Sequence, residues 1–300
     1  MKLVRFSTNG QSPRLGILQG DQIADIQASL AAQLARNGVT RSQEIASALV
    51  PSSARAFLEG GVASQEAVRS ITEWVTVPAG SARLHAPIAD PGKFICIGLN
   101  YSDHAAETGN AIPKEPPIFA KWPNAIIDPG DPILRPRGSK ALDWEVELGV
   151  VIGRQARYVP REKALDYVWG YTIINDASAR DFQMITSQWM AGKIFESAAP
   201  VGPYIADRSE VSDPHSLSLK TFVNGKQMQN GNTKTFIFDV NYIVSYLSNL
   251  MTLMPGDLIA TGTPPGVGLG MKPPVYLNAG DVVRMEIAGL GTLENPVKDA

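Results

Sequence analysis

The sequence predicts an α+β chain dominated by β-structure, and three observations carry that expectation. Beyond residue 93, short β-branched or alternating runs are bounded by Gly, Pro, Asn or Asp. The 27 glycines and 22 prolines among 300 residues imply many turns, which favours short strands over a helical bundle. Before residue 84 the texture differs, with strands giving way to helical spacing.

In order along the chain, residues 2–6 and 14–18 read as strands around a Gly/Ser/Pro turn, and 21–26 as a third. Residues 28–37, 42–49 and 64–75 have the composition and apolar spacing of helices. No charged or histidine constellation occurs there. A small α+β domain over 1–84, of open role, is therefore expected, joined through the Ala86-Pro-Ile-Ala-Asp-Pro-Gly92 linker to a second domain over 85–300. In the latter, 94–98, 145–153, 168–175, 217–223, 258–261 and 281–287 read as strands. Two of them follow matching turns, Met254-Pro-Gly-Asp257 and Asn278-Ala-Gly-Asp281. A helix is expected over 240–250, capped by Asp239, with Ile243, Leu247 and Leu250 on one face.

Composition excludes several classes of function. With 44% hydrophobic and 19% charged residues and a net charge of -2, the chain can bury a core and is not disordered. It has no basic excess to draw it to nucleic acid or anionic lipid. A single cysteine, Cys96, leaves no intramolecular disulfide and no thiolate cluster, so a reducing, cytoplasmic setting is expected. The N-terminal residues lack the apolar core of a secretory signal, and the most apolar stretch, 242–254, is broken by Ser245, Ser248, Asn249 and Thr252.

Four stretches could carry chemistry. In Asp143-Trp-Glu145-Val-Glu147-Leu-Gly-Val-Val-Ile-Gly153, the two-residue period of a strand puts Asp143, Glu145 and Glu147 on one face, roughly 6.5 to 7 Å apart along the backbone. The strand continues as an apolar run, and buried like charges are costly unless a cation lies between them. An all-oxygen set suits Mg²⁺, Mn²⁺ or Ca²⁺ better than zinc; a solvated acidic face is the competing reading. Asn175-Asp176-Ala-Ser-Ala-Arg180-Asp181-Phe-Gln183 places Asp176 at the exit of a buried strand, as a ligand or as the cap of a short helix on which Arg180 and Gln183 share a face. His104 and Glu107, three residues apart, would meet on a helical turn, either as an oriented general base or as an incidental pair. Thr261-Gly-Thr-Pro-Pro-Gly-Val-Gly268 is a glycine-rich loop without a phosphate-binding ending; Thr263 and backbone amides could hold a carboxylate, or the loop is simply a tight turn.

Gly98-Leu-Asn-Tyr-Ser-Asp-His-Ala-Ala-Glu107, Glu115-Pro-Pro-Ile-Phe-Ala-Lys121, Asp143 to Gly153, Asn175 to Gln183 and Gly256 to Gly268 stand in register with one another. In that order they resemble the fumarylacetoacetate hydrolase family, in its short, acylpyruvase-like branch. The resemblance implies a mixed β-sandwich or roll as catalytic domain, a homodimer, and Mg²⁺ or Mn²⁺ held by Glu145, Glu147 and Asp176. It implies a water-activating dyad of His104 and Glu107, substrate oxyanions met by Arg180, Gln183 and Lys193, and a substrate carboxylate near Thr263. Asp103 is the nearest counterpart of a further metal-binding aspartate in larger members and alternatively serves a lid.

The implied activity is hydrolysis of a carbon–carbon bond in a 2,4-dioxo acid of the acylpyruvate or fumarylpyruvate type. Chelation of the 2-oxo acid end would make an enolate the natural leaving group. The same chemistry would serve a 2-oxo acid decarboxylase, a 2-hydroxymuconate-type isomerase or a sugar-acid dehydratase; a non-catalytic binding module is the remaining alternative. Arg137 and Lys140, in a basic loop, are candidates for the far end of the substrate or a solvated surface.

Overall fold

The computed structural model describes residues 1–107, 109 and 111–300, the side chains of residues 105 and 106 excepted. A meander of β1 (Lys2–Ser7), β2 (Arg14–Gln19) and β3 (Gln22–Asp25) leads into α1 (Ile26–Arg36). Asp25 closes β3 and caps α1 by accepting the Ala28 amide at 3.0 Å. Next come α2 (Ser42–Leu49), α3 (Ala54–Glu59), α4 (Gly61–Arg69), β4 (Val75–Pro78) and β5 (Arg83–His85). The helix expected over 64–75 is α4, which begins earlier and stops at Arg69; the β-branched Val75-Thr-Val run instead pairs with β3.

The middle of the chain supplies β6 (Phe94–Ile97), α5 (Ser102–Glu107), β7 (Ile118–Lys121), β8 (Ile126–Ile127) and β9 (Ile133–Arg135). It continues with β10 (Leu142–Asp143), β11 (Val146–Ile152), β12 (Val168–Asn175), β13 (Ser178–Ala179) and α6 (Arg180–Gln183). The last third holds β14 (Ala199–Asp207), β15 (Ser218–Val223), β16 (Lys226–Asn232), α7 (Val240–Leu250), β17 (Leu258–Ala260), β18 (Val282–Ile287) and β19 (Gly291–Asp299). Asp239 caps α7 through the Tyr242 amide. Val240, Ile243, Val244 and Leu247 are buried, whereas Leu250, expected on that face, is the last residue of the helix and is exposed.

Among the described residues the principal sheet runs β4-β3-β2-β1-β14-β12-β11-β17-β6-β7, and β16-β15-β18-β19-β9 form a second sheet. The strands of residues 1–84 are built into the principal sheet, where Leu3 of β1 lies opposite Ile205 of β14. Both faces of this sheet are covered. Val146, Leu148 and Val150 face a core shared with Leu219, Met285 and Ile287 of the second sheet and with Val244 and Leu247 of α7. Val151, Ile174 and Ile205 face a core shared with Leu30, Phe57 and Leu58 of the N-terminal helices. Burial on both sides explains why all seven residues of β11 are inaccessible, and it denies solvent to any charge placed there.

The topology gathers particular chain ends. β11 runs antiparallel to β12 and β17, and β17 runs parallel to β6. The start of β11 therefore lies beside the exits of β12, β17 and β6. Those four points carry Glu145 and Glu147, Asp176, Thr263, and the Gly98–His104 segment, respectively.

Candidate active site

Glu145, Glu147 and Asp176 converge at this edge, each presenting an oxygen within 4.8 Å of the others'. All three are buried. Three cations attend them. Arg180 donates Nη2 to Glu145 Oε1 at 2.6 Å and Nε to Asp143 Oδ2 at 2.9 Å. Lys193 Nζ bridges Glu145 Oε2 at 2.7 Å and Asp176 Oδ2 at 2.8 Å. Lys121 Nζ stands 2.7 Å from Asp176 Oδ1, yet its protons go to the carbonyls of Ala177, Lys193 and Ala198. Asp176 Oδ1 therefore has Lys121 as an ion-pair partner but no well-aligned hydrogen-bond donor among the described residues.

The two glutamates respond oppositely to this environment. Burial would raise the carboxyl of Glu145, but Arg180 and Lys193 outweigh it and hold the group well below the usual carboxylate range. Glu147 has the Gly262 amide at 2.8 Å as its hydrogen-bond donor; burial, reinforced by Asp176 and Glu145, pushes its carboxyl well above that range. Counted with all four carboxylates ionised, as ligation of a cation requires, Asp143, Glu145, Glu147 and Asp176 face Arg180, Lys193 and Lys121 with one negative charge in excess. That excess, the Asp176 oxygen without an aligned donor and the oxygen-only donor set fit a hard divalent cation, which this group can hold.

His104 and Glu107 share the short helix α5, with Nδ1 3.2 Å from Glu107 Oε2. Glu107 also accepts the Gly266 amide, tying α5 to the glycine-rich loop. The indole of Trp144 donates to the Gly266 carbonyl at 3.1 Å, so the loop is held from both sides. A cavity of about 220 Å³ opens over this assembly. Its polar wall is His104, Glu145, Glu147, Asp176, Arg180, Gln183, Lys193 and Thr263; its apolar wall is built from Ile97, Leu99, Phe119, Met184, Trp189, Val267 and Leu269. This is small for a binding pocket and suits a small acid.

The structure thus brings Glu145, Glu147, Asp176, His104, Arg180, Gln183, Lys193 and Thr263 around one cavity. Arg180 donates to Gln183 Oε1 at 3.0 Å, the shared face expected of α6, whereas no side chain caps that helix. The Thr263 hydroxyl donates to the Val146 carbonyl at 3.0 Å, so its one proton is committed to the backbone. Asp103 is exposed and lies outside the carboxylate cluster. Asp143 does not extend the acidic face of β11: it sits on β10 and accepts the Gly268 and Leu269 amides together with Arg180. Arg137 and Lys140 are exposed and do not line the cavity.

Three contributors had no assigned role in the sequence reading. Lys121 is the one buried residue of β7, at its end, and a buried lysine needs partners. Trp189 packs onto Gly98, where an added Cβ would lie 2.3 Å from the ring, and meets Phe119 edge to face at 5.9 Å. Gln229, in the polar strand β16, is fully buried behind the loop.

Comparison with known proteins agrees with this geometry. The family described as "Fumarylacetoacetate (FAA) hydrolase C-terminal" matches residues 93–298, and "Rv2993c-like, N-terminal" matches residues 1–48. A Burkholderia multivorans protein provisionally named a hydrolase is 46% identical over 295 residues, 97% of this chain and 96% of the relative. The solved structure of a fumarylacetoacetate hydrolase from Exiguobacterium antarcticum is 35% identical, with a TM-score of 0.83 over 100% of both chains. Maleylpyruvate hydrolase from Sphingobium sp. SYK-6, in complex with manganese(II) and pyruvate, is 29% identical, with a TM-score of 0.77 over 100% of both chains. A 2-hydroxyhepta-2,4-diene-1,7-dioate isomerase from Mycobacterium marinum is 32% identical, with a TM-score of 0.75 over 100% of this chain and 98% of the other.

Proposed function

The chain belongs to the fumarylacetoacetate hydrolase family, and from that premise we propose that it is a divalent-metal-dependent hydrolase cleaving a carbon–carbon bond in a 2,4-dioxo acid of the acylpyruvate or fumarylpyruvate type. The observation that carries this reading is the position of His104: it lines the same cavity as the three carboxylates while Glu107 lies against its Nδ1. An imidazole oriented by a carboxylate is equipped to take a proton from water, typically a ~10²- to 10⁴-fold contribution. Mg²⁺ or Mn²⁺ held by Glu145, Glu147 and Asp176 would supply Lewis acidity toward the 2-oxo acid end; the manganese and pyruvate bound by the Sphingobium relative support that assignment.

The chain's own groups divide the remaining work. His104 takes one proton from water, whose oxygen adds to the C4 carbonyl. The donors that Arg180 and Lys193 still have free, with the Gln183 amide, face the cavity where the oxyanion develops. The C3–C4 bond then breaks, its electron pair passes to C3, and the proton that His104 took from water is returned there, directly or through solvent, leaving pyruvate, a carboxylic acid and a neutral His104. The reading includes a cytoplasmic homodimer, which sedimentation and cell fractionation test.

Turnover assays decide between activities. An acylpyruvate should be hydrolysed and oxaloacetate should be a poor substrate; undiminished hydrolysis by His104→Ala contradicts the role of His104. The Mycobacterium isomerase favours a second reading, proton transfer within a dienoate diacid. That reaction consumes no water, so ¹⁸O from labelled water in the released acid separates the two.

A further inference from the structure

Resting on the keto-acid reading above, the further question is what the far end of the substrate carries. Both cations that line the cavity are already committed: Arg180 to Asp143 and Glu145, Lys193 to Glu145 and Asp176. Among the described residues, no other lysine or arginine lines it. With its four carboxylates ionised and a divalent ion held among them, the buried cluster and its three cations carry a single surplus positive charge. The one carboxylate of a 2-oxo acid neutralises that surplus. A second carboxylate would meet no uncommitted lysine or arginine among the described lining residues, and an apolar wall in place of water over part of its surface.

What lies beyond the charged floor is hydrocarbon. Trp189 forms one side, seated against the backbone of Gly98 at a spot where any larger residue would displace it. Phe119 meets its edge. Leu99, with a φ of +49° that a leucine rarely adopts, projects from the turn that follows β6. Val267 and Leu269 face them from the glycine-rich loop, and Met184 stands at the rim, 66% exposed.

We propose that the acyl end of the substrate is uncharged and apolar, a short aliphatic or aromatic acyl group on a monoanionic 2,4-dioxo acid, and that Trp189, Phe119 and Leu99 determine this preference. The chain then differs from relatives whose names specify substrates with two carboxylates, maleylpyruvate and a 1,7-dioate. A reaction that joins an apolar acyl group to a pyruvate unit, or opens a ring to that product, must supply the substrate; a route that consumes a monocarboxylic acid must follow.

The test is calorimetric, on the Mn²⁺-loaded protein, with two 2-oxo acids of equal length that are not cleaved: 2-oxohexanoate and 2-oxoadipate. The expected result is at least about tenfold tighter binding of 2-oxohexanoate, and about fourfold gain per methylene along the series from pyruvate to 2-oxohexanoate. Met184→Arg, at the exposed rim, should improve 2-oxoadipate binding by roughly fivefold, the scale of a solvent-exposed ion pair. Equal or tighter binding of 2-oxoadipate by the unaltered protein overturns the proposal and leaves the keto-acid reading standing. Failure of pyruvate and both longer acids to bind overturns that reading and the proposal with it.

Discussion

Glu107 accepts the backbone amide of Gly266 at 3.0 Å, so the carboxylate beside His104 is itself fixed to the glycine-rich loop. Gly266 has a φ of +101°, and a Cβ there would stand 2.2 Å from the Met228 carbonyl. Gly266→Ala must therefore move the loop or strand β16, at a cost of about 1–3 kcal/mol. Its kcat should fall at least about tenfold, because His104 loses its fixed partner. Steady-state kinetics at a temperature where circular dichroism shows the variant folded would check this, and a wild-type kcat would show that the tether is dispensable.

Removing either glutamate should have different consequences. Glu145→Gln leaves the buried Arg180 and Lys193 with a weakened partner, and breaking such buried pairs costs on the order of 3–5 kcal/mol. Glu147→Gln removes a carboxylate that has no lysine or arginine against it among the described residues, so the ion-free protein should be at least as stable as wild type. Its Mn²⁺ affinity should nevertheless fall by about a hundredfold or more. Paired denaturation and metal titrations distinguish the two; loss of stability in Glu147→Gln equal to that in Glu145→Gln would refute the charge assignment.

The same asymmetry sets the pH dependence. Burial and the neighbouring Asp176 and Glu145 raise Glu147 above its unfolded value of about 4.3, so the folded chain binds the proton more tightly. Without a divalent ion, stability should decline as pH rises from that value through the raised one, and stay reduced above it. Glu145 is shifted oppositely, and its contribution is present above the unfolded value and lost as pH falls toward the depressed one. Saturating Mg²⁺ should abolish the decline, and binding it should release a proton, seen as a buffer-dependent heat by calorimetry. Glu147→Gln should show neither the decline nor the proton release.

How much of this was legible in sequence follows from what each residue is paired with. Glu145 and Glu147 stood out because carboxylates leading into an apolar strand contradict their surroundings, though a solvated face stayed open, and their grouping with Asp176 came from the family resemblance. The helix α7 and its Asp239 cap were legible because both signals are local. Ten of the nineteen strands among the described residues were not, and the three longest of these show why. β14 is Ala-Pro-Val-Gly-Pro-Tyr-Ile-Ala-Asp, buried on both faces between the two cores and so without alternation, and β16 is almost wholly polar. β19, Gly-Thr-Leu-Glu-Asn-Pro-Val-Lys-Asp, alternates in burial, but the polar Asn295 holds an inward position between Leu293 and Val297, and Pro296 argues against a strand. The role of Lys121 depends on the carbonyls of Ala177, Lys193 and Ala198, more than fifty residues away, a relation that no local pattern contains.

Gln229 is the sharpest case of a residue whose importance only the fold reveals. Its Oε1 accepts the Val146 amide at 3.1 Å and the Thr221 hydroxyl at 2.8 Å; its Nε2 donates to Thr263 Oγ1 and to the Pro264 carbonyl, both at 2.8 Å. All four hydrogen-bonding positions of the amide are filled, with no water needed. One end fixes the backbone between Glu145 and Glu147, and the other fixes the loop that carries the Gly262 amide. Gln229→Leu has similar bulk but leaves buried groups at both ends unpaired, at about 1–3 kcal/mol for each. Gln229→Glu keeps the shape and the accepting oxygen while setting an acceptor against the Pro264 carbonyl. If the residue positions the site, both variants should weaken Mn²⁺ binding by about 10- to 100-fold, the range found for groups that orient metal ligands. A merely structural role would lower thermal stability and leave Mn²⁺ affinity of the folded protein unchanged.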